Sequence, residues 1–195
     1  MVVLGDSITA GYGLDPEQAY PALLQQKIDA ARLPFTVVNA GVSGDTTADG
    51  LRRVDWVLSA GADVLIVALG GNDGLRGISP KRTEENLVKI IQRARAKIPG
   101  LPVIVAGMQM PGNLGRDFVE QFRALFPRVA AENNAALVPF LLDGVGGVPE
   151  LNQPDRIHPT AEGQKRVAIN IWSVLQKILE TRAPRPSNGP PGRAP

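Results

Sequence analysis

The sequence predicts an α/β protein with three layers (α/β/α), in which helices cover both faces of a five-stranded parallel sheet. Five short apolar runs alternate with segments whose apolar residues have helical spacing, which is typical of parallel sheets. One run, residues 63–69, is continuously apolar after Asp63, as expected of a strand at the sheet centre. The chain has 195 residues, 44% of them hydrophobic, so it can bury one full core.

In chain order, the first strand is the apolar run 2–4, which ends at a glycine. A helix to about residue 32 follows, and it begins at either Asp15-Pro16 or Tyr20-Pro21, because proline suits a first helical position. Residues 35–39 form a β-branched run and predict the second strand. The next helix is predicted over 47–58, where Leu51, Val54 and Leu58 recur at helical spacing.

The rest of the chain repeats this alternation. Strands are predicted at 63–69, 101–107 and 136–140, helices at 80–98, 116–132 and 160–181, and loops at 40–47, 70–74 and 108–114. Pro127 leaves open a break in its helix, and Pro139 favours an edge position for the last strand. The commonest small sheet of this kind is flavodoxin-like, with strand order 2-1-3-4-5.

The charge of the chain is nearly balanced. The formal net charge is +2, but Arg182, Arg185 and Arg193 lie at the end, and without these three the 21 basic residues fall to 18 against 19 acidic ones. The body therefore predicts no nucleic-acid partner. Residues 183–195 contain five prolines and two glycines, so we expect a disordered Pro/Gly-rich tail after one domain at 1–182.

Targeting signals are not evident. No run approaches the ~18 apolar residues of a membrane span, and no signal peptide precedes the first strand. As written, the chain predicts a cytoplasmic protein, and a periplasmic or secreted one if a leader was removed. Without cysteine there is no disulfide or thiolate chemistry. A monomer is the simplest expectation.

Polar residues follow the predicted strands at their carboxyl ends, which share one edge of a parallel sheet. They are Ser7 after the first strand, Ser43 and Gly44 after the second, Asn72 and Asp73 after the third, and Asp155 and His158 after the last. We therefore expect these groups to meet at one site.

Ser7 is the candidate nucleophile, and the chain's single histidine, His158, is the one imidazole base available to it. Pro159 favours an extended backbone before it, so Asp155 and His158 lie in a turn where the carboxylate can accept a bond from the imidazole. The alternatives are that Ser7 is a turn residue, and that Asp155 pairs with Arg156 while His158 is an exposed loop residue.

Two further residues are candidates for binding a developing oxyanion. Asn72 offers a side-chain amide and Gly44 a bare backbone N–H, although each also suits an ordinary turn. One histidine cannot build the usual imidazole-rich two-metal site, so no metal and no organic cofactor is predicted.

Four stretches together resemble the marker blocks of the SGNH (GDSL) hydrolases, in the family's order, over about residues 2–180. They are Gly-Asp-Ser-Ile-Thr at 5–9, Val-Ser-Gly-Asp-Thr at 42–46, Gly-Gly-Asn-Asp at 70–73 and Asp-Arg-Ile-His-Pro at 155–159. Residues 39–46 and 69–77 further resemble the bacterial thioesterase I/protease I/lysophospholipase (arylesterase) branch. The first block usually ends in Leu-Ser, and here it ends in Ile8-Thr9.

The resemblance implies roles for individual residues. Ser7, Asp155 and His158 form a catalytic triad, the Ser7 and Gly44 amides and the Asn72 side chain form an oxyanion hole, and Asp6 and Asp73 shape loops. It implies a serine hydrolase of small-molecule carboxylic esters, and of thioesters as a second class, that works through an acyl-enzyme. A carbohydrate deacetylase on the same fold and a non-catalytic flavodoxin-like binding module are the alternatives.

The acyl group is expected over the loops after the third, fourth and fifth strands. The apolar candidates there are Leu75, Ile78, Met108, Met110, Leu114, Leu142 and Val145. Each can instead be core beneath a loop.

Overall fold

A computed structural model describes residues 1–182 and contains one sheet of five parallel strands. The strands are β1 (Val2–Gly5), β2 (Val38–Gly41), β3 (Leu65–Ala68), β4 (Val103–Ala106) and β5 (Ala136–Val138). They pair in the order β2-β1-β3-β4-β5. The predicted fold class and strand order are confirmed, and β3 lies at the centre as its sequence indicates.

Within residues 1–182, seven α-helices surround the sheet. They are α1 (Ser7–Ala10), α2 (Tyr20–Ala30), α3 (Thr47–Val57), α4 (Gly71–Leu75), α5 (Pro80–Lys97), α6 (Arg116–Glu132) and α7 (Ala161–Arg182), with 3₁₀ turns at Pro16–Gln18, Gly112–Leu114 and Pro149–Leu151. α2 packs against α7, and α5 packs between α3 and α6. These two groups form the two outer layers, because right-handed crossovers place their connections on opposite faces.

The core lies between the sheet and these layers. Every residue of β1, β3 and β4 is buried, whereas the edge strand β2 is partly exposed. α6 continues through Pro127 without a break, and it buries Phe122 and Phe126 before that proline and Val129 after it. Burial of this apolar face outweighs the roughly 3 kcal/mol that an interior proline costs.

The second strand begins later than predicted, at residue 38 and not at 35. Val38 pairs with Val2 and Gly41 with Gly5, so the register with β1 fixes where the ladder starts. The backbone of the preceding residues forms hydrogen bonds with the side chain of Gln25. The Gln25 amide oxygen accepts a bond from the N–H of Val37 at 2.7 Å, and its nitrogen donates one to the Phe35 carbonyl at 3.2 Å. The prediction was wrong because Gln25 satisfies backbone groups that a strand would otherwise use.

Two short helices, α1 and α4, occupy segments predicted as loops. Each begins just past the carboxyl end of a buried strand, β1 or β3, and has only four or five residues. A helix of this length shows no repeat of apolar residues, so composition alone indicated a loop.

The predicted tail at 183–195 lies outside the described residues. Within 1–182, no helix is both long and apolar enough to cross a membrane.

Candidate active site

The hydroxyl of Ser7 is presented by the first residue of α1, directly beyond β1. Asp6 caps this helix, because its Oδ1 accepts a bond from the N–H of Ile8 at 3.0 Å. Gly5 makes the tight turn possible, since a Cβ there would lie 1.9 Å from the Oγ1 of Thr9. The serine is therefore fixed by a capped helix and a close backbone approach.

Two contacts hold α1 against the rest of the fold. Gly41 of β2 touches the backbone of α1, where an added Cβ would lie 2.3 Å from the Ala10 nitrogen. On the other side Gln164 of α7, itself buried, donates to the Ile8 carbonyl and accepts from the Tyr20 N–H, both at 3.0 Å. The position of Ser7 thus depends on β2 and α7.

Ser7, His158 and Asp155 form a continuous chain of hydrogen bonds. The Nε2 of His158 lies 2.8 Å from Ser7 Oγ, and its Nδ1 lies 2.6 Å from Asp155 Oδ2. An ionised carboxylate only accepts, so Nδ1 carries the proton and Nε2 accepts from the serine. This arrangement can move the serine proton to the imidazole.

The pKa of Asp155 is lowered to about 2. The main cause is the bond from the backbone N–H of His158, and the His158 side-chain bond and the N–H of Ile157 lower the pKa further, whereas burial opposes the change. The carboxylate is therefore ionised wherever the imidazole is expected to work. Arg156, between the two, has a φ of 60° and forms no ion pair within residues 1–182.

Gln153 binds the histidine turn to the serine loop. Its backbone N–H donates to the His158 carbonyl at 2.7 Å. Its side-chain amide donates to the carbonyls of Pro159 at 3.0 Å and Tyr12 at 2.7 Å. One side chain therefore sets the spacing between the segment after α1 and the turn that carries His158.

Three N–H donors follow the carboxyl ends of β1, β2 and β3. The backbone N–H groups of Ser7 and Gly44 have no hydrogen-bond partner within residues 1–182, and Gly44 has a φ of +85°, which suits glycine. The Nδ2 of Asn72 donates to the Asp45 carbonyl at 3.0 Å and lies 3.5 Å from Asp6 Oδ2. Since 3.5 Å is long for such a bond, the second Nδ2 hydrogen is available to an oxyanion.

An ion pair supports the loop that carries Gly44. Arg53 of α3 donates through Nε to Asp45 at 2.6 Å and through Nη2 to the Gly5 carbonyl at 2.9 Å. Both side chains are largely buried. The loop after β2 is therefore tied to the end of β1, next to the nucleophile.

Two acidic residues flank the site with different surroundings. Burial raises the pKa of Asp6 to about 6, although the N–H of Ile8 and the charge of His158 oppose the change. Asp73 is fully buried behind the site. Its carboxylate accepts two bonds from Thr47, from the backbone N–H at 2.8 Å and from Oγ1 at 2.5 Å, and a third from the Oγ1 of Thr83 at 3.3 Å. It therefore joins α4 to the start of α3 and to α5.

A cavity of about 510 Å³ opens beside Ser7, Asn72 and His158. Of the apolar candidates, it is lined by Leu75, Met108, Met110 and Leu142, and it is not lined by Ile78, Leu114 or Val145. The side chain of Val145 is fully buried in the core. Phe140, Arg156 and Ile157 also line the cavity. Sequence reasoning missed Phe140 because it placed this residue in the fifth strand, which ends at Val138, and it missed Arg156 and Ile157 because they lie in an irregular turn.

Possible metal ligands are not grouped in the described part of the chain. No three His, Cys, Asp or Glu side chains within residues 1–182 are arranged so that they could hold a metal ion. The chemistry available at this site is that of the hydroxyl, the imidazole, the carboxylates and the N–H donors.

Comparisons with known proteins show which family this chain resembles. The model of the GDSL-like lipase/acylhydrolase family matches residues 3–166. The chain is 44% identical over 180 residues to the esterase TesA of Pseudomonas aeruginosa, covering 92% of this chain and 89% of that protein. It is 38% identical over 180 residues to thioesterase 1/protease 1/lysophospholipase L1 of Escherichia coli K12, covering 92% and 84%.

The fold is also similar to a solved structure. The crystal structure of TesA matches with a TM-score of 0.87 and 43% identity, over 91% of this chain and 98% of that one.

Proposed function

The chain belongs to the GDSL-like lipase/acylhydrolase family, and on that premise we propose that it is a serine esterase whose acyl-enzyme forms on Ser7. Carboxylic esters are the main substrate class and thioesters the second, as the names of the two relatives, an esterase and a thioesterase, indicate. The observation that carries the proposal is the hydrogen-bonded chain from Ser7 through His158 to Asp155.

The reaction proceeds in two steps. In the first, His158 Nε2 takes the proton of Ser7 as Oγ attacks the carbonyl carbon, and the imidazolium then protonates the departing alcohol or thiol. In the second, His158 takes a proton from water as the water oxygen attacks the acyl-enzyme. The imidazolium then returns that proton to Ser7 Oγ as the bond between Oγ and the acyl carbon breaks and the acid is released. The ionised Asp155 stabilises the imidazolium in both steps.

The negative charge that develops on the carbonyl oxygen is bound by three donors. These are the N–H groups of Ser7 and Gly44 and the side-chain amide of Asn72, which lie in the loops and short helices after β1, β2 and β3. Loss of one such donor typically costs about 10²–10³ in kcat. Asp6 and Asp73 hold these loops in place.

The apolar part of the cavity is proposed to receive the acyl chain. Leu75, Met108, Met110 and Leu142 line it, and methionine adapts to chains of different shape. A volume of about 510 Å³ suits small to medium acyl chains. We propose that the active species is a monomer, because every group of the site comes from this one chain.

Rates with p-nitrophenyl esters of increasing chain length, measured beside acyl-CoA thioesters, test this function. Ser7→Ala and His158→Ala should each lower kcat by at least about 10³. Labelling by a fluorophosphonate should be abolished in Ser7→Ala and strongly slowed in His158→Ala, because the serine then lacks its base. Ser59→Ala, at an exposed serine outside the site, is the matched control. Full esterase activity in a clean Ser7→Ala preparation would refute the proposal.

A further inference from the structure

The ring of Tyr12 lies against the imidazole of His158. The two ring centroids are 4.5 Å apart and the planes are inclined by 37°. Tyr12 is 52% exposed, and its hydroxyl has no hydrogen-bond partner within residues 1–182. Because the ring is half exposed and its hydroxyl is not bonded, neither core packing nor a hydrogen bond of the hydroxyl explains its position.

The backbone holds this ring in position from two directions. The N–H of Tyr12 donates to the Ser7 carbonyl at 3.0 Å, so the ring is fixed relative to the nucleophile. The Tyr12 carbonyl accepts the 2.7 Å bond from Gln153, which also binds the histidine turn. Gly13 has a φ of +76°, and a Cβ on this residue would lie 2.4 Å from the Oε1 of Gln153. Glycine therefore allows the backbone to pass close to the Gln153 side chain.

The imidazole becomes a cation in each step of the proposed reaction, and its surroundings decide how well that cation is tolerated. Asp155 faces Nδ1, Ser7 faces Nε2, and Asp6 of the neighbouring loop attracts the positive charge. Arg156 lines the same cavity and opposes it. The ring of Tyr12 lies beside the imidazole, and aromatic faces attract cations within about 6 Å.

We propose that Tyr12 is a positioning residue of this enzyme, which holds the imidazole between Ser7 and Asp155 and stabilises its protonated form through the aromatic ring. This inference rests on the proposed function, because it assigns a role in the same proton transfer. The proposed role requires the aromatic ring and does not use the hydroxyl. We therefore expect phenylalanine at position 12 to preserve this role and an aliphatic residue to abolish it.

The experiment compares Tyr12→Leu and Tyr12→Phe with the unchanged chain, using a short p-nitrophenyl ester. Tyr12→Leu should lower kcat about two- to fivefold with little change in KM, as a cation–aromatic contact at a partly exposed site implies. The acid limb of its pH–rate profile should move to lower pH by about 0.4–0.7, because the imidazolium is less stable without the ring. Tyr12→Phe should retain both kcat and the profile.

Trp56→Leu is the matched control, because Trp56 is 77% exposed on α3 and its replacement removes an aromatic ring that does not contact His158. A second readout comes from NMR, because the chain has a single histidine and its ring protons are unambiguous. Their ring-current shift should persist in Tyr12→Phe and disappear in Tyr12→Leu. The chemical-shift dispersion of the other protons in the same spectrum shows whether the variant is folded.

The inference is overturned if Tyr12→Leu keeps kcat and the acid limb unchanged, or if Tyr12→Phe is as impaired as Tyr12→Leu. Failure of the proposed function is a separate result, because it appears as activity in Ser7→Ala. A variant with a lost ring-current shift and an unchanged profile therefore refutes the role of Tyr12 and leaves the serine mechanism intact.

Discussion

Replacing Asp6 with asparagine removes a buried carboxyl beside the nucleophile, and the structure predicts that this stabilises the protein above neutral pH. Asp6 is only 3% exposed, and burial raises its pKa to about 6 from an ordinary value of 3.8. Asparagine has nearly the same shape, cannot ionise, and can still accept the bond from the N–H of Ile8 that caps α1.

The magnitude follows from the linkage between proton binding and folding. A carboxyl whose pKa is higher in the folded state binds more protons there, so the unchanged protein loses stability as the pH rises from about 4 to about 6. A shift of about two pKa units corresponds to about 3 kcal/mol. The free energy of unfolding of Asp6→Asn, relative to the unchanged chain, should therefore rise by about 2–3 kcal/mol between pH 4 and pH 7.5.

Urea unfolding followed by tryptophan fluorescence, at four pH values from 4 to 7.5, measures this difference. Asp117→Asn, at an exposed carboxyl, is the matched control and should show a nearly flat difference. If the difference in unfolding free energy for Asp6→Asn also stayed constant with pH, ionisation of the buried carboxyl would not lower the stability of the protein, and the reasoning from its burial would be refuted.

Four other substitutions test how the site is held. Gly41→Ala should lower the free energy of unfolding by about 2 kcal/mol or more, and it should lower kcat because the new methyl group displaces α1. Gly112→Ala is the control, since the space around Gly112 is open, and it should change neither quantity. Urea midpoints and kcat measure both effects, and equal results for the two variants would contradict this prediction. Asp73→Ala should cost about 2–4 kcal/mol of unfolding free energy because it leaves buried donors unpaired, and unchanged stability would contradict this. Gln153→Ala should lower kcat and weaken the ring-current shift of the single histidine, and a normal spectrum would show that the amide does not hold the turn. Met110→Trp should reduce activity on long-chain p-nitrophenyl esters and spare acetate, so an equal loss for both would argue against an acyl pocket there.

The sheet and the meeting of the polar residues could be predicted because they depend on repeated, one-dimensional signals. Continuous apolar runs such as 63–69 mark buried strands, and a parallel sheet brings whatever follows its strands to one edge. Ser7 and His158, 151 positions apart, could be placed together on that ground alone.

The remaining features depend on contacts that no periodicity reveals. The start of β2 is set by pairing with β1 and by the Gln25 side chain, and α1 and α4 are too short to show a helical repeat. Tyr12 and Gln153 lie in irregular segments, and their importance follows from distances to the histidine turn. Sequence reasoning therefore found the reacting groups more readily than the residues that hold them.

The attachment of α1 to α7 through Gln164 has a consequence for synthesis of the chain. Ser7 is synthesised 151 residues before His158, and before the helix that carries Gln164. A nascent polypeptide that does not yet include this helix is therefore catalytically inert. Enzyme turnover thus reports completion of the whole domain rather than of any fragment.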